Sequence, residues 1–224
     1  MQTGQHIQVG FHFEDLLVTR PYTPIRPIFD SEDDGTFDLV VKTYLPDEDQ
    51  PGGTMSNVLD CMRKGEEIEV KGPSGAIRYL GNGRFAIDEN EHTFDNVSFI
   101  LGGSGVTPGY QVIARILSAK DDKTKVKAIY VNKSESDILL REDLDHFTKE
   151  HGDQFSITHV LSHPSDKWKG LKGHVNENII KNHVFEPGEK NVALLCGPPT
   201  MIMKAALPAL KDWGYDEDKN LFGF

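Results

Sequence analysis

Basic charge is what this chain most visibly lacks: 24 Lys and Arg stand against 35 Asp and Glu, a formal net charge of −11. A nucleic-acid binder normally presents a basic face, so that class of function is set aside. Cysteine is scarce too. Cys61 and Cys196 lie far apart and make no disulfide framework, so the expected compartment is a reducing cytoplasm. No apolar run approaches the roughly 18 residues that span a bilayer, and no signal-peptide pattern opens the chain, so no membrane partner is expected. Internal repeats and low-complexity tracts are missing as well. What is there is 224 residues with 38% hydrophobic content, enough for one large domain or two small ones.

The two halves follow different rules. Up to about residue 95, short strands alternate with turns: "HIQVGFHF", "LLVTR", "TFDLVVKTYL", "EEIEVKGPSG", "AIRYL" and "GRFAID". The acidic "FDSEDDG" at 29–35 reads as a solvated hairpin connection. One short helix interrupts the strands, with Ser56 as its expected cap before "NVLDCMRK" and Gly65 as its stop. This is the pattern of a small antiparallel barrel. From residue 96 the rhythm becomes strand then helix. "NVSFILGG" precedes the helical "TPGYQVIARILSA", and "KVKAIYVN" precedes the helical "SDILLREDLDHFTKEH". "QFSITHVLS" and "NVALLCG" add two strands, each with a helix-forming stretch behind it. That alternation implies a parallel sheet covered on both faces.

The stretch "LGGSGVTPGY", residues 101–110, joins the first of these strands to its helix and carries four glycines. Three readings are open there. A nucleophile elbow needs Gly-x-Ser-x-Gly, and around Ser104 the second glycine is replaced by Val106. A dinucleotide pyrophosphate would suit the free N–H groups and dipole of a helix start, although Pro108 stands where the usual fingerprint has its third glycine. A plain strand-to-helix turn is the third. Pro108 is natural in any first helical turn, because its missing N–H costs nothing there.

Three further stretches surround this one in a fixed order: "RPYTP" (20–24), "GGTMS" (52–56) and "LCGPPTM" (195–201). With these four motifs the chain resembles the ferredoxin–NADP reductase superfamily, and within it the cytochrome b5 reductase branch, over essentially its whole length. "GQHIQVGF", "LGGSGVTPGYQVIARIL", "HVLSHPSDKWKG" and "DWGYDEDKNLFGF" are similar to the C-terminal flavin module of eukaryotic nitrate reductases of the fungal kind. The resemblance implies an antiparallel β-barrel FAD-binding domain over residues 1–94, followed by an α/β NAD(P)H-binding domain with a parallel sheet over residues 95–224. Family members carry further barrel strands before "GQH", so the barrel is expected to be incomplete at its N-terminus.

Roles for single residues follow from that resemblance. Arg20 offers a fork of donors matched to the FAD pyrophosphate. Pro21 lies beside it, the Tyr22 ring packs on the isoalloxazine, and Thr23 brings its hydroxyl near the reactive flavin nitrogen. Val40 and Lys42 lie against the flavin; read from alternation alone, Lys42 is a solvated strand lysine. In "GGTMS", Gly53 permits close backbone approach, and Thr54, Met55 and Ser56 open the helix toward phosphate. Thr54 stands where the family carries a basic or polar residue, and Leu45 where an aromatic is common; both depart from its pattern. Gly102, Gly103, Gly105 and Thr107 wrap the nicotinamide coenzyme. Cys196, Gly197, Pro198 and Pro199 present the thiol where nicotinamide meets flavin, so Cys196 and Thr23 are the candidate catalytic residues. Read without the family, Cys196 is a small buried hydrophobe. Phe224 covers the flavin face or merely finishes the last strand. Asp137 is placed near the coenzyme's 2′ position, with Lys133 and Arg141 close in sequence. Both NADH and NADPH are expected to work, with NADPH modestly preferred.

The chemistry so implied is hydride transfer from NAD(P)H to FAD, then release of single electrons to a cytochrome b5-type haem domain, covalently linked in a parent nitrate reductase. Haem and molybdopterin would lie only in upstream domains. A free-standing NADH-cytochrome b5 reductase is the nearest rival, and a non-catalytic remnant unable to retain FAD is another. His159 and His163, four apart on a strand and its loop, do not converge as a helical pair would, so no metal site is expected and both read as surface or turn residues.

Overall fold

A computed structural model describes residues 1–46, 48 and 51–224. The chain opens with a hairpin of β1 (His6–Phe13) and β2 (Leu16–Tyr22), with β3 (Glu69–Ser74) on the other side of β1. Ile7 and Val9 point inward from β1 and pack on Met55 of the short helix α1 (Thr54–Cys61), while His6 and Gln8 point the other way. A second antiparallel sheet follows, made of β4 (Ile77–Gly81), β5 (Arg84–Ile87) and β6 (Asn90–Thr93). Among the described residues the antiparallel half is thus two three-stranded sheets, a partial barrel without closure.

The other half is a six-stranded parallel sheet in the order β10-β9-β8-β7-β11-β12. Its strands are β7 (Asn96–Gly102), β8 (Lys125–Asn132), β9 (Phe155–Leu161), β10 (Leu171–Lys172), β11 (Asn191–Cys196) and β12 (Leu221–Gly223). Alternate residues of the central strands serve opposite faces. Phe99, Leu101, Ala128, Tyr130, Val192 and Leu194 join a core under α2 (Val106–Ser118) and α3 (Arg141–Glu150). Ile100, Ile129, Ala193 and Leu195 join a second core under α4 (Glu177–His183) and the C-terminal helix. Burial on both faces is why these strands read as continuous apolar runs. The C-terminal helix starts as α5 (Pro199–Met201), widens to a π turn at Ile202–Ala206 and ends as α6 (Leu207–Trp213).

The first of these cores also takes in Ile77, Tyr79, Phe85, Ile87 and Phe94 from the antiparallel half, so the two halves share buried apolar surface. A polar tie lies beside it. Asp122, 2% exposed, accepts from the Tyr79 hydroxyl, from Asn82 N at 2.9 Å, and from Thr124 N and Oγ1 at 3.1 and 2.6 Å. A buried carboxylate with this many donors is stable in place, because none of its oxygen lone pairs is stranded without water.

Five local expectations are corrected. "TFDLVVKTYL" is not a ladder strand: its strand-type pairing is the isolated Asp38–Arg26 bridge, which closes the acidic connection at 29–35. Its far end is bonded to the start of α1 instead, with Tyr44 O accepting from Gly53 N at 2.8 Å and from Asn57 Nδ2 at 2.9 Å. Ser56 does not cap α1. Gly53 holds that position, and the Ser56 hydroxyl donates to Gly53 O at 3.1 Å while accepting from Tyr44 N at 3.2 Å. The helix ends at Cys61, well before Gly65. The helix expected from Ser136 begins only at Arg141, because Glu135–Asp137 winds as a 3-10 turn closed by Asp137 on Ser134, and Leu140 is left-handed at φ 54°. His159, finally, is no surface residue: its ring is enclosed between Tyr130 and Trp168, at centroid distances of 5.8 and 6.4 Å.

Candidate active site

In a parallel sheet the natural ligand crevice lies where the strand order reverses, at the carboxyl ends of the strands. Here the chain runs outward from β7 through β8, β9 and β10, then returns to the other side of β7 with β11 and β12. The reversal therefore falls between β7, which ends at Gly102, and β11, which ends at Cys196. A cleft of about 670 Å³ opens there, facing the antiparallel half.

Its floor is two backbone segments pressed together. A Cβ on Gly105 would stand 2.7 Å from the Cys196 carbonyl carbon and oxygen, and one on Gly197 would stand 2.9 Å from Gly102 N. Real Cβ atoms do not approach so closely, so these glycines are what let the two loops cross. The Tyr130 hydroxyl donates to Gly103 O at 3.0 Å and accepts from Leu139 N at 3.2 Å, pinning the glycine loop to the sheet. Burial pushes that phenol up to about 12, so it stays a donor at any ordinary pH. Beyond the loop, α2 starts without a side-chain cap; its Val106 N–H closes on Gly103 O and Ser104 O, and Pro108 carries no N–H to satisfy.

Most of the residues singled out in the sequence meet on this cleft. Arg20, Pro21, Tyr22 and Thr23 line it from the end of β2, and Val40 and Lys42 from the extended segment behind. Gly53, Thr54, Met55 and Ser56 line it from the start of α1. Gly102, Gly103, Gly105 and Thr107 face them from the sheet side, with Cys196, Gly197, Pro198 and Phe224. Thr23 and Thr107 are each 8% exposed, from opposite halves. Pro199 and Asp137 stand back from the cleft wall. Asp137 instead pairs with Lys42, Oδ1 to Nζ at 2.5 Å, so Lys42 is not a free solvated lysine. Ser104, weighed above as a nucleophile, lines the cleft within the glycine loop, and His6, Gln8 and Tyr44 line it too and escaped the sequence reading. A signal existed for these three. His6 and Gln8 alternate with the buried Ile7 and Val9, and Tyr44 continues the alternation of Val40 and Lys42.

The electrostatics suit redox chemistry carried by bound groups. Burial pushes the Cys196 thiol up to about 11, so at neutral pH it is an uncharged side chain and no thiolate nucleophile. Burial likewise raises the Tyr22 phenol. Arg20 is the cation on the cleft without an acidic partner among the described residues, while the Lys42 ammonium is paired with Asp137. Among the described residues no group of His, Cys, Asp and Glu converges to hold a metal ion. No helix described is long and apolar enough to cross a membrane.

The glycine crossing, the Tyr22 ring and Arg20 on one cleft suit a flavin and a pyridine nucleotide, and comparison with known proteins agrees. The pattern of the family described as "Oxidoreductase FAD-binding domain" matches residues 1–79, and that of "Oxidoreductase NAD-binding domain" matches residues 99–206. NADH-cytochrome b5 reductase 3 of Rattus norvegicus is 39% identical over 96% of this chain and 74% of its own length. Nitrate reductase [NADH] of Spinacia oleracea is 39% identical over 100% of this chain, which spans 24% of that protein. The crystal structure of the cytochrome b5 reductase domain of Ulva prolifera nitrate reductase superposes with a TM-score of 0.94 at 33% identity, covering 100% of this chain and 85% of that one. This chain belongs to the cytochrome b5 reductase family of FAD- and NAD(P)H-dependent oxidoreductases, the family that includes the reductase module of nitrate reductase.

Proposed function

We propose that this chain is the reductase module of an assimilatory nitrate reductase, passing electrons from NAD(P)H through FAD to a cytochrome b5-type haem domain linked to it in a cytoplasmic parent protein. The observation that carries the reading is the meeting of Tyr22 and Thr23 with Thr107 and Cys196 on one cleft at the switch point of the sheet. When bound together, the coenzyme supplies a hydride and the flavin accepts it, later releasing its electrons singly.

The division at 94/95 makes each half the holder of one cofactor. Arg20 clamps the flavin pyrophosphate with the α1 start behind it, from Gly53 to Ser56, and Tyr22, Thr23, Val40 and Lys42 line the ring. Gly102, Gly103, Gly105 and Thr107 hold the coenzyme at the opposite wall. Cys196, Gly197, Pro198 and Pro199 set the nicotinamide's pose, and Phe224 covers the ring until it arrives. No side-chain acid or base is needed for a hydride step. The protein's work is orientation and exclusion of water, and orientation alone is worth many powers of ten in rate.

Asp137 bears on coenzyme choice. A free carboxylate near the ribose would repel a 2′-phosphate, but both of its oxygens are engaged, by Lys42 and by Ser134. Both coenzymes are therefore accepted. The relatives above carry NADH in their names, which favours NADH over the modest NADPH preference first expected. A free-standing NADH-cytochrome b5 reductase is the second reading, supported by the rat relative's match over 96% of this chain. The mass of the native protein, together with its haem spectrum, separates them. A haem-bearing polypeptide several times longer supports the nitrate reductase module, and a haem-free protein little longer than this chain overturns it.

A further inference from the structure

We infer that Gln111 is a positioning residue that sets the separation between the two cofactors. The inference rests on the hydride-transfer reading above. Gln111 is one turn along α2 from Thr107, is 2% exposed, and does not line the cleft. Its amide spans the two halves. Oε1 accepts from Gly4 N at 2.5 Å, and Nε2 donates to Pro24 O at 2.9 Å. Pro24 follows Thr23 directly, so a single side chain joins the helix that carries Thr107 to the backbone that carries Thr23.

The choice of residue is informative. Its helical neighbours Val112, Ile113, Ala114 and Ile116 are buried and apolar, and packing alone would be served by a methionine or leucine there. An amide in that place must find both an acceptor and a donor partner, or it costs stability. It finds them on two segments of the antiparallel half, and each bond is directional in a way that apolar contact is not. The Gly4 segment is itself anchored, because Tyr79 N donates to Thr3 O at 2.8 Å, and it runs so close to β4 that a Cβ on Gly4 would stand 2.5 Å from Ile77 O. Gln111 therefore references the start of α2 to a fixed frame and to the flavin wall at once. The shared core and the Tyr79–Asp122 tie still hold the halves together without it. What is lost is the register of Thr107 against Thr23, and a misplacement of about 1 Å at a reacting centre can cost on the order of a hundredfold in rate.

The test uses the FAD-loaded chain with Gln111→Met, which removes both hydrogen bonds at similar volume, and Gln111→Glu, which keeps the Gly4 bond and sets an oxygen against Pro24 O. Wild type is measured first by anaerobic stopped flow. Failure of NADH to reduce it would sink the functional reading itself, independently of Gln111. The expected result for both variants is unchanged FAD content, NAD+ affinity within about threefold, and a limiting rate of flavin reduction lower by roughly tenfold to a hundredfold. The primary deuterium isotope effect from 4-deuterated NADH should rise, and amide exchange at Gly4 should quicken in Gln111→Met. Tyr79→Phe serves as the control, loosening the other tie: it should lower Tm and leave the reduction rate and isotope effect alone. A wild-type limiting rate in Gln111→Met, or in Gln111→Glu if only that variant folds, overturns the inference. So does an equal loss of rate in Tyr79→Phe, which would mean general loosening and not positioning.

Discussion

Lys42 and Asp137, 95 residues apart in sequence, meet at 2.5 Å beside the cleft that Lys42 lines, each side chain about 22% exposed. Lys42 belongs to the extended segment lining the cleft from the antiparallel half, and Asp137 to the 3-10 turn after β8. The Lys42 hydrogen bond, helped by Ser134, holds the Asp137 carboxyl down to about 2. A depressed carboxylate stabilises the fold above its unfolded value of 3.8, and that contribution is lost as pH falls through about 2. At about pH 3, carbon-13 spectra should find Asp137 still ionised while ordinary carboxylates are mostly protonated. Lys42→Met should return it toward the usual range. Titration near 3.8 in wild type would mean the pair does not persist in solution. Its contribution to stability is small, about 1 kcal/mol or less, because the pair is partly open to water.

The same pair links structure to coenzyme choice. Asp137→Ser removes a negative charge and leaves Lys42 available to a coenzyme phosphate. The ratio of kcat/KM for NADPH to that for NADH should rise several-fold, on the order of 1 kcal/mol. An unchanged ratio at fixed ionic strength would show that this carboxylate is not felt at the ribose.

Arg20 reaches the cleft with its guanidinium bonded, among the described residues, to Thr19 O of its own strand alone, at 2.7 Å. Arg20→Ala should weaken FAD retention by roughly tenfold to a hundredfold, the value of a charge-assisted hydrogen bond of about 1.5–3 kcal/mol. NAD+ affinity should change far less, since Arg20 lies on the other wall. Full flavin loading after prolonged dialysis would show that Arg20 does not hold the pyrophosphate.

These residues differ in how plainly the sequence announces them. The β7 run and the glycines after it were legible, because a strand buried on both faces and a loop that must let another backbone pass leave local marks in composition. The Cys196–Gly197–Pro198 loop was legible for the same reason. The Lys42 ion pair left no mark, because alternation along a strand says which side a residue faces and nothing about a partner 95 residues away. Gln111 was invisible on the same ground, with partners 107 and 87 residues distant. The segment at 36–45 has the branched and aromatic content of a strand, yet what decides a strand is a neighbour to pair with, and its end is bonded to α1.

Cys196 supplies a test of its own. Cys196→Ala should slow flavin reduction while FAD content stays near wild type, since the thiol lines the cleft from the end of β11, away from the antiparallel half. Burial raises its pKa to about 11 from 9.0, so its stabilising contribution is present below 9 and is lost as pH rises toward 11. Wild-type Tm should therefore fall over that window more steeply than that of the Ala variant. Parallel Tm curves would indicate that the thiol is more hydrated than the structure has it.

The central claim is that one cleft holds a flavin and a pyridine nucleotide in position for hydride transfer, and mixing the purified protein anaerobically with NADH tests it most directly. The account predicts a yellow protein with about one FAD per chain, whose visible flavin bands bleach on adding one equivalent of NADH and return with a one-electron acceptor. A colourless protein that takes up no added FAD, or a bound flavin that NADH leaves oxidised, would contradict it.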